Sequence, residues 1–485
     1  MNQSLNKIDY FVISTLIILT FLSIYGGYVS IDGWTYLHLA QSISNGDGLT
    51  LNDEYFAVFP LAYPVMISVF SLFSTDINIL IIASKILNLT LLLATYLFSK
   101  KIFKKDIIAC FFVLSPCLIQ ALFLTLSEAL FYMSLTGVIY FSLDIQKKIS
   151  FVNLGFLAIL SIVCVITKYA SCFFIFAAWL CLLATYGVNK KTIITLIPFS
   201  ISATFFAIYL YINYKTTGNY SGMERAPVLE SFKYIAYTFL LVNLKILILY
   251  SILAYILCVK TLRIKLNHRG KFLILFGIFY GGIYFILRTM NQFDLFGLRI
   301  NGFGISILFS GLIYSSAKEL RDFKFFRFFI FLAISIASVK LFPMEKARIS
   351  KFHIKESDYK YMISIKTMEN SKKLSGQFRN SYAYIDKDEY YGYDVKIIPI
   401  YGIPYNKQDS LKSLKERLSR ININECSIDF SLINNIKELD SIILAEYQID
   451  VFPTKKTYVM SEEIQDKLRQ VFTPNTLVPC NKIIY

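Results

Sequence analysis

A chain of 485 residues that is 55% hydrophobic and only 17% charged, with a mean hydropathy of +0.54, cannot be water-soluble throughout, because soluble domains carry about 25% charged residues. The net charge of +16 does not point to nucleic acid. There are 27 Lys/Arg against 14 Asp/Glu before residue 343 and 22 against 19 after it, and the first excess sits mostly in short loops between apolar runs, where it is a topology signal.

In chain order, the first apolar run, residues 10–29, is long for a signal-peptide core and lacks a convincing cleavage site, so it is predicted to be a membrane helix. Further spans are predicted at 78–98, 106–123, 128–145, 151–167, 169–186, 192–214, 234–258, 271–288, 297–316 and 325–343. Runs of this length match a bilayer core of about 30 Å at about 1.5 Å per helical residue. One set of connecting loops holds the clusters Lys100–Lys105, Lys147–Lys148, Lys190–Lys191, Lys260–Lys271 and Lys318–Arg327. The opposite set carries fewer basic residues, among them Lys168, Lys215, Arg225, Arg288 and Arg299. This bias predicts an N-terminus inside and, with eleven spans, a C-terminus outside.

The first outer loop, residues 30–77, contains no Lys or Arg. Asp32 precedes an amphipathic turn bearing Tyr36, Leu37, Leu39 and Ala40, which Gly46 and Gly48 end. The apolar stretch Phe59–Phe73 would invert every later loop if it crossed the membrane. At about 15 residues, with Pro60 and Pro64 at its start, it fits a juxtamembrane helix better.

After Phe342 charges occur throughout, Ser381–Tyr405 has a strand-like composition, and Ser410–Arg420 is a charged helical stretch. The predicted organisation is a transmembrane domain over 1–343 and a small extracytoplasmic α/β domain over 344–485. Within the latter, Cys426 and Cys480 are either a disulfide or two free thiols. The other six cysteines, in or beside apolar runs, are predicted to be small buried residues, and no Cys/His spacing suggests zinc.

Charged groups near a membrane are costly, so those facing the protein interior are functional candidates. Several lie in suggestive contexts: Asp32 before Tyr-Leu-His-Leu-Ala and Asn-Gly-Asp-Gly-Leu, then Tyr63-Pro64; Leu126-Ser-Glu128-Ala-Leu-Phe; Thr167-Lys168-Tyr-Ala; Thr217-Gly through Met223-Glu-Arg225; and Gly297-Leu-Arg299-Ile-Asn. In this order they resemble the GT-C glycosyltransferases, in the branch that includes aminoarabinose transferases and relatives of protein O-mannosyltransferases. The resemblance spans residues 1–320, and Ala129, Lys168, Ile300 and Phe303 depart from it, standing where the family has Pro, Arg, Tyr and Pro.

The resemblance implies a GT-C fold and a polyprenyl-phosphate sugar donor, used on the outer side of a bacterial inner membrane. It places Asp32 at the catalytic centre, as the base for the acceptor hydroxyl, with Glu128 positioning acceptor or base. Arg299, Lys168 and Arg225 become donor-phosphate contacts, and Tyr36, His38 and Tyr63 substrate contacts. The acceptor is a lipid-linked glycan, lipopolysaccharide or protein. No metal is required, although a divalent cation near Asp32 stays open. The alternatives are an O-antigen polymerase or ligase, which would use a pyrophosphate-linked glycan, and a non-enzymatic lipid or glycan flippase, for which paired repeats and broken midplane helices would be the sign.

Overall fold

The computed structural model describes residues 6–26, 29, 31–51, 54–222, 231–258, 265–290, 296–316, 320 and 322–341, together with four strands further along. Each of the eleven expected segments is helical. The first is α1 (Lys7–Gly26). The outer loop then builds α2 (Ile31–Asn45), the two-residue strands β1 (Thr50–Leu51) and β2 (Glu54–Tyr55), and α3 (Ala62–Phe70). The remaining helices are α4 (Ile77–Phe103), α5 (Asp106–Val113), α6 (Pro116–Phe123), α7 (Glu128–Ile145), α8 (Phe151–Val165), α9 (Ser171–Tyr186), α10 (Lys190–Ile194), α11 (Leu196–Thr217), α12 (Phe232–Leu257), α13 (His268–Met290), α14 (Leu298–Ser315) and α15 (Phe325–Leu341).

Among the described residues, seven helices are long and apolar enough to cross a membrane, or eight if α5 and α6 form one span. Helices α8, α9 and α15 are apolar but shorter, at 15, 16 and 17 residues. The helix of the Phe59–Phe73 stretch, α3, has nine residues, a length of about half the depth of a bilayer core.

The expected 106–123 span is not one straight helix. It bends by 52° between α5 and α6. The cause is Pro116, which lacks an N–H, clashes with the preceding turn and holds Ser115 extended (φ −68°, ψ 153°). Helix α2 stops where Gly46 turns to φ +90°, and Asp47 N–H closes the end on the Ser42 carbonyl at 3.0 Å.

Of the seven long helices, α7 and α14 are the most enclosed, while α11 and α12 turn most of their surface outward. The tightest seam joins α13 to α14, where a side chain on Gly304 would meet Tyr280 Cδ1 at 2.4 Å and one on Gly277 would meet the Gly304 carbonyl at 2.6 Å. Small residues here let two helices approach to backbone contact, a common device for packing helices in lipid. Around this frame runs one continuous apolar core that includes residues from α1 through α15. The six described cysteines are free thiols, five buried and Cys172 half-buried.

One end of the bundle gathers the basic clusters, and several of these cations complete helix C-termini. Lys191 Nζ donates to the Gln146 and Lys147 carbonyls at 2.8 Å each, Lys271 to Ala184 at 3.1 Å, and Arg269 to Ile102. Cations are favoured there because unsatisfied carbonyls make a helix C-terminus negative.

In the C-terminal region β3 (Ser381–Asp386) pairs antiparallel with β4 (Asp394–Pro399), within the strand-like stretch expected there, and β5 (Val451–Phe452) pairs with β6 (Thr457–Tyr458). The expected helix at Ser410–Arg420, and Cys426 and Cys480, lie outside the described residues.

Candidate functional site

Four charged residues expected on the outer side meet at the end of the bundle opposite the basic clusters. Asp32 stands in the first turn of α2, where a carboxylate faces the positive end of a helix. Glu128 opens α7, Lys168 sits in the turn between α8 and α9, and Arg299 occupies the first turn of α14. Arg299 Nη1 lies 3.3 Å from Asp32 Oδ2, and its Nε 3.7 Å from Glu128 Oε1. Lys168 Nζ reaches the same Glu128 oxygen at 2.6 Å and lies 5.6 Å from the centre of the Phe131 ring. Among the described residues, two carboxylates and two cations thus meet here, and Arg299 bridges both acids.

Exposure separates the two acids. The Glu128 side chain is 4% exposed and Asp32 28%. A buried carboxylate is tolerated when it is paired, and removing its partners costs about 3–5 kcal/mol. Glu128 is thus suited to hold cations in place, and Asp32 to meet an incoming molecule.

Tyr36 and Tyr63 stand behind the charges. Tyr36 donates its hydroxyl to Ser127 Oγ at 3.0 Å, and its ring packs against Tyr63 and Phe59 with centroids 5.1 and 4.9 Å away. Tyr63 is fully buried and donates to Asn88 Oδ1 at 2.9 Å. Burial pushes both phenols above their ordinary range, and for Tyr36 the nearby Glu128 charge adds to it, so both remain neutral donors. His38 is half-buried on α2. Arg225 lies outside the described residues.

The first loop is fastened to its neighbours close to Lys168. Tyr169 donates to the Ala57 carbonyl, and Asn213 accepts from Tyr55 at 2.9 Å while donating to the Tyr169 hydroxyl at 3.0 Å. Gly222, at φ +77°, lies so near this loop that a Cβ would fall 2.5 Å from the Ala57 carbonyl carbon. Only glycine accommodates both that conformation and that approach.

Sequence reasoning missed several residues. Tyr132 donates to the Arg299 carbonyl and stacks on Phe303 at 4.3 Å and 3°. Lys85, fully buried in α4, donates to the Phe123 carbonyl at 2.6 Å. The available signal was a lone lysine deep in an apolar run, which is costly enough to demand a reason. Among the described residues no group of three or more His, Cys, Asp or Glu could hold a metal.

No protein-family model matches the sequence, and no curated protein matches it. Among solved structures, ArnT from Cupriavidus metallidurans bound to undecaprenyl phosphate is similar, with a TM-score of 0.49 and 11% identity over 75% of this chain and 70% of that one. The apo state of the same protein gives 0.48 and 13%, over 75% and 69%.

Proposed function

We propose that the chain is a membrane glycosyltransferase of GT-C type that moves a sugar from a polyprenyl-phosphate carrier to a lipid, glycan or protein acceptor. All eleven helical segments would cross the membrane, with the basic clusters inside and the site outside. The carrying observation is the convergence of Asp32, Glu128, Lys168 and Arg299, from segments up to 267 residues apart, at one end of an apolar bundle. A soluble substrate does not need a site at the rim of a bilayer; a lipid-borne anion does, because its tail stays in the hydrocarbon while its phosphate reaches the helix ends.

In the reaction, the acceptor hydroxyl oxygen forms a bond to the anomeric carbon and Asp32 takes its proton. The bond from that carbon to the phosphate oxygen breaks, and its electron pair leaves with the phosphate. Arg299 and Lys168, oriented in advance by Glu128, stabilise the departing charge. Arg225 joins them as a further phosphate contact. Tyr36 and Tyr63 shape the wall beneath, and His38 on α2 is a further substrate contact. A single displacement of this kind inverts the anomeric centre.

The test is transfer by the purified chain in lipid nanodiscs, supplied with polyprenyl monophosphate sugars and candidate acceptors. Asp32→Asn is expected to lower turnover by about 10²–10⁴-fold, the usual worth of a general base, while leaving expression and membrane insertion intact. Undiminished transfer by that variant overturns the role of Asp32. Activity only with a pyrophosphate-linked glycan would favour a polymerase or ligase, and glycolipid movement across vesicles without transfer would favour a flippase.

A further inference from the structure

The last turn of α6 and its link to α7, together residues 121–127, end on Glu128 and are tied down by side chains from other elements. Lys85 Nζ and Ser23 Oγ both donate to the Phe123 carbonyl, at 2.6 and 3.0 Å. Asn88 Nδ2 donates to the carbonyls of Ala121 at 3.0 Å and Leu124 at 2.8 Å. Ser84 Oγ lies 2.9 Å from Thr125 Oγ1, and Tyr36 donates to Ser127. Ser23, Ser84, Lys85, Asn88 and Thr125 are all completely buried.

The carbonyls at the end of α6 have no partners within their own helix and carry its negative end. Opening them inside a protein without donors is expensive. Lys85 and Asn88 supply such donors from α4, the completely buried Lys85 amine reaching the Phe123 carbonyl at 2.6 Å. Asn88 is placed between two functions: its amide nitrogen holds the link, and its amide oxygen accepts from Tyr63 of the first loop.

We propose that Lys85 and Asn88 are positioning residues for Glu128: by clamping the 121–127 link they fix the carboxylate that orients Lys168 and Arg299. Neither touches substrate. The consequence for transfer rests on the reading of these cations as donor-phosphate contacts, whereas the consequence for Lys168 does not.

The experiment therefore begins without a donor. In the full chain in nanodiscs, acylation of Lys168 by a small amine-reactive reagent is followed by mass spectrometry in the wild type, Lys85→Met, Asn88→Ser, Glu128→Gln and the double variant Lys85→Met/Glu128→Gln. Freeing Lys168 from Glu128 is expected to speed its acylation in Glu128→Gln. Lys85→Met and Asn88→Ser should do the same by severalfold, and the double variant should react no faster than Glu128→Gln alone. Effects that multiply, or single variants that react like the wild type, overturn the proposal, since residues acting through one group are non-additive. Should both clamp variants unfold, Ser23→Ala removes one donor to the same carbonyl and is expected to act in the same direction with smaller size; no change there also overturns it.

Transfer kinetics form the second arm. Lys85→Met should lower kcat/KM on the order of tenfold, as expected for a lost buried hydrogen bond, and Lys85→Arg should restore part of it. If the wild type transfers no sugar, the functional reading fails while the acylation result still decides the clamp.

Discussion

Arg299 is the residue on which the charge arrangement turns, because it reaches both acids. Its planar fork offers several donors in fixed directions, which a lysine ammonium on a flexible stem does not reproduce. Arg299→Lys should keep the charge balance and the fold but raise the donor KM by about tenfold, measured in the nanodisc assay, as the bridge between Asp32 and Glu128 is lost. Glu128→Gln should be worse, lowering turnover and the melting temperature together. It strands two partly buried cations, with a cost approaching the ~3–5 kcal/mol of a broken buried pair. These residues were legible from sequence because charges at the ends of apolar runs are few. Their pairing was not: nothing in the spacing says that Lys168 belongs to Glu128 while Arg299 reaches across to Asp32.

At the level of single elements, the apolar runs and their punctuation were the readable part. Gly46 ends α2, and the apolar stretch after it forms only the nine-residue α3. The break at Pro116 was passed over because hydropathy alone does not register a bend. The clamp on residues 121–127 was equally hidden, since it is made of carbonyls, which carry no sequence identity. The α13–α14 seam is the element most exposed to a single change. Gly304→Val would drive a methyl group into Tyr280, and overpacking of this sort costs about 1–3 kcal/mol. A fall in melting temperature is expected, with loss of transfer following because α14 carries Arg299. An unchanged melting curve would show that the seam yields more easily than its contacts imply.

For the whole molecule, the segregation of charge to two ends gives an expected orientation. Asp47 is exposed in the loop after α2, and Lys104 is exposed at the far end of α4. In intact cells a membrane-impermeant maleimide should label Asp47→Cys and spare Lys104→Cys, with the parent chain as the control for its own thiols. The reverse pattern would invert the assignment of inside and outside and remove the site from the outer face. The expected eleven segments came from run length and the alternation of basic loops. What stayed out of reach was how helices distant in sequence share one end, a property of packing that no local pattern records.

The site also has an order of manufacture. A chain made from its N-terminus presents Asp32 first, then Glu128, then Lys168, and Arg299 only after another 131 residues. Until α14 is delivered, Asp32 and Glu128 lack the cation that bridges them, so every nascent chain passes through a stage in which the site is incomplete. Insertion of α13 and α14 as one glycine-seamed hairpin would end that stage in a single step. Biogenesis factors that hold acidic helix ends would matter most in the interval before it, and a ribosome stalled between Lys168 and Arg299 would leave the chain in its most vulnerable form.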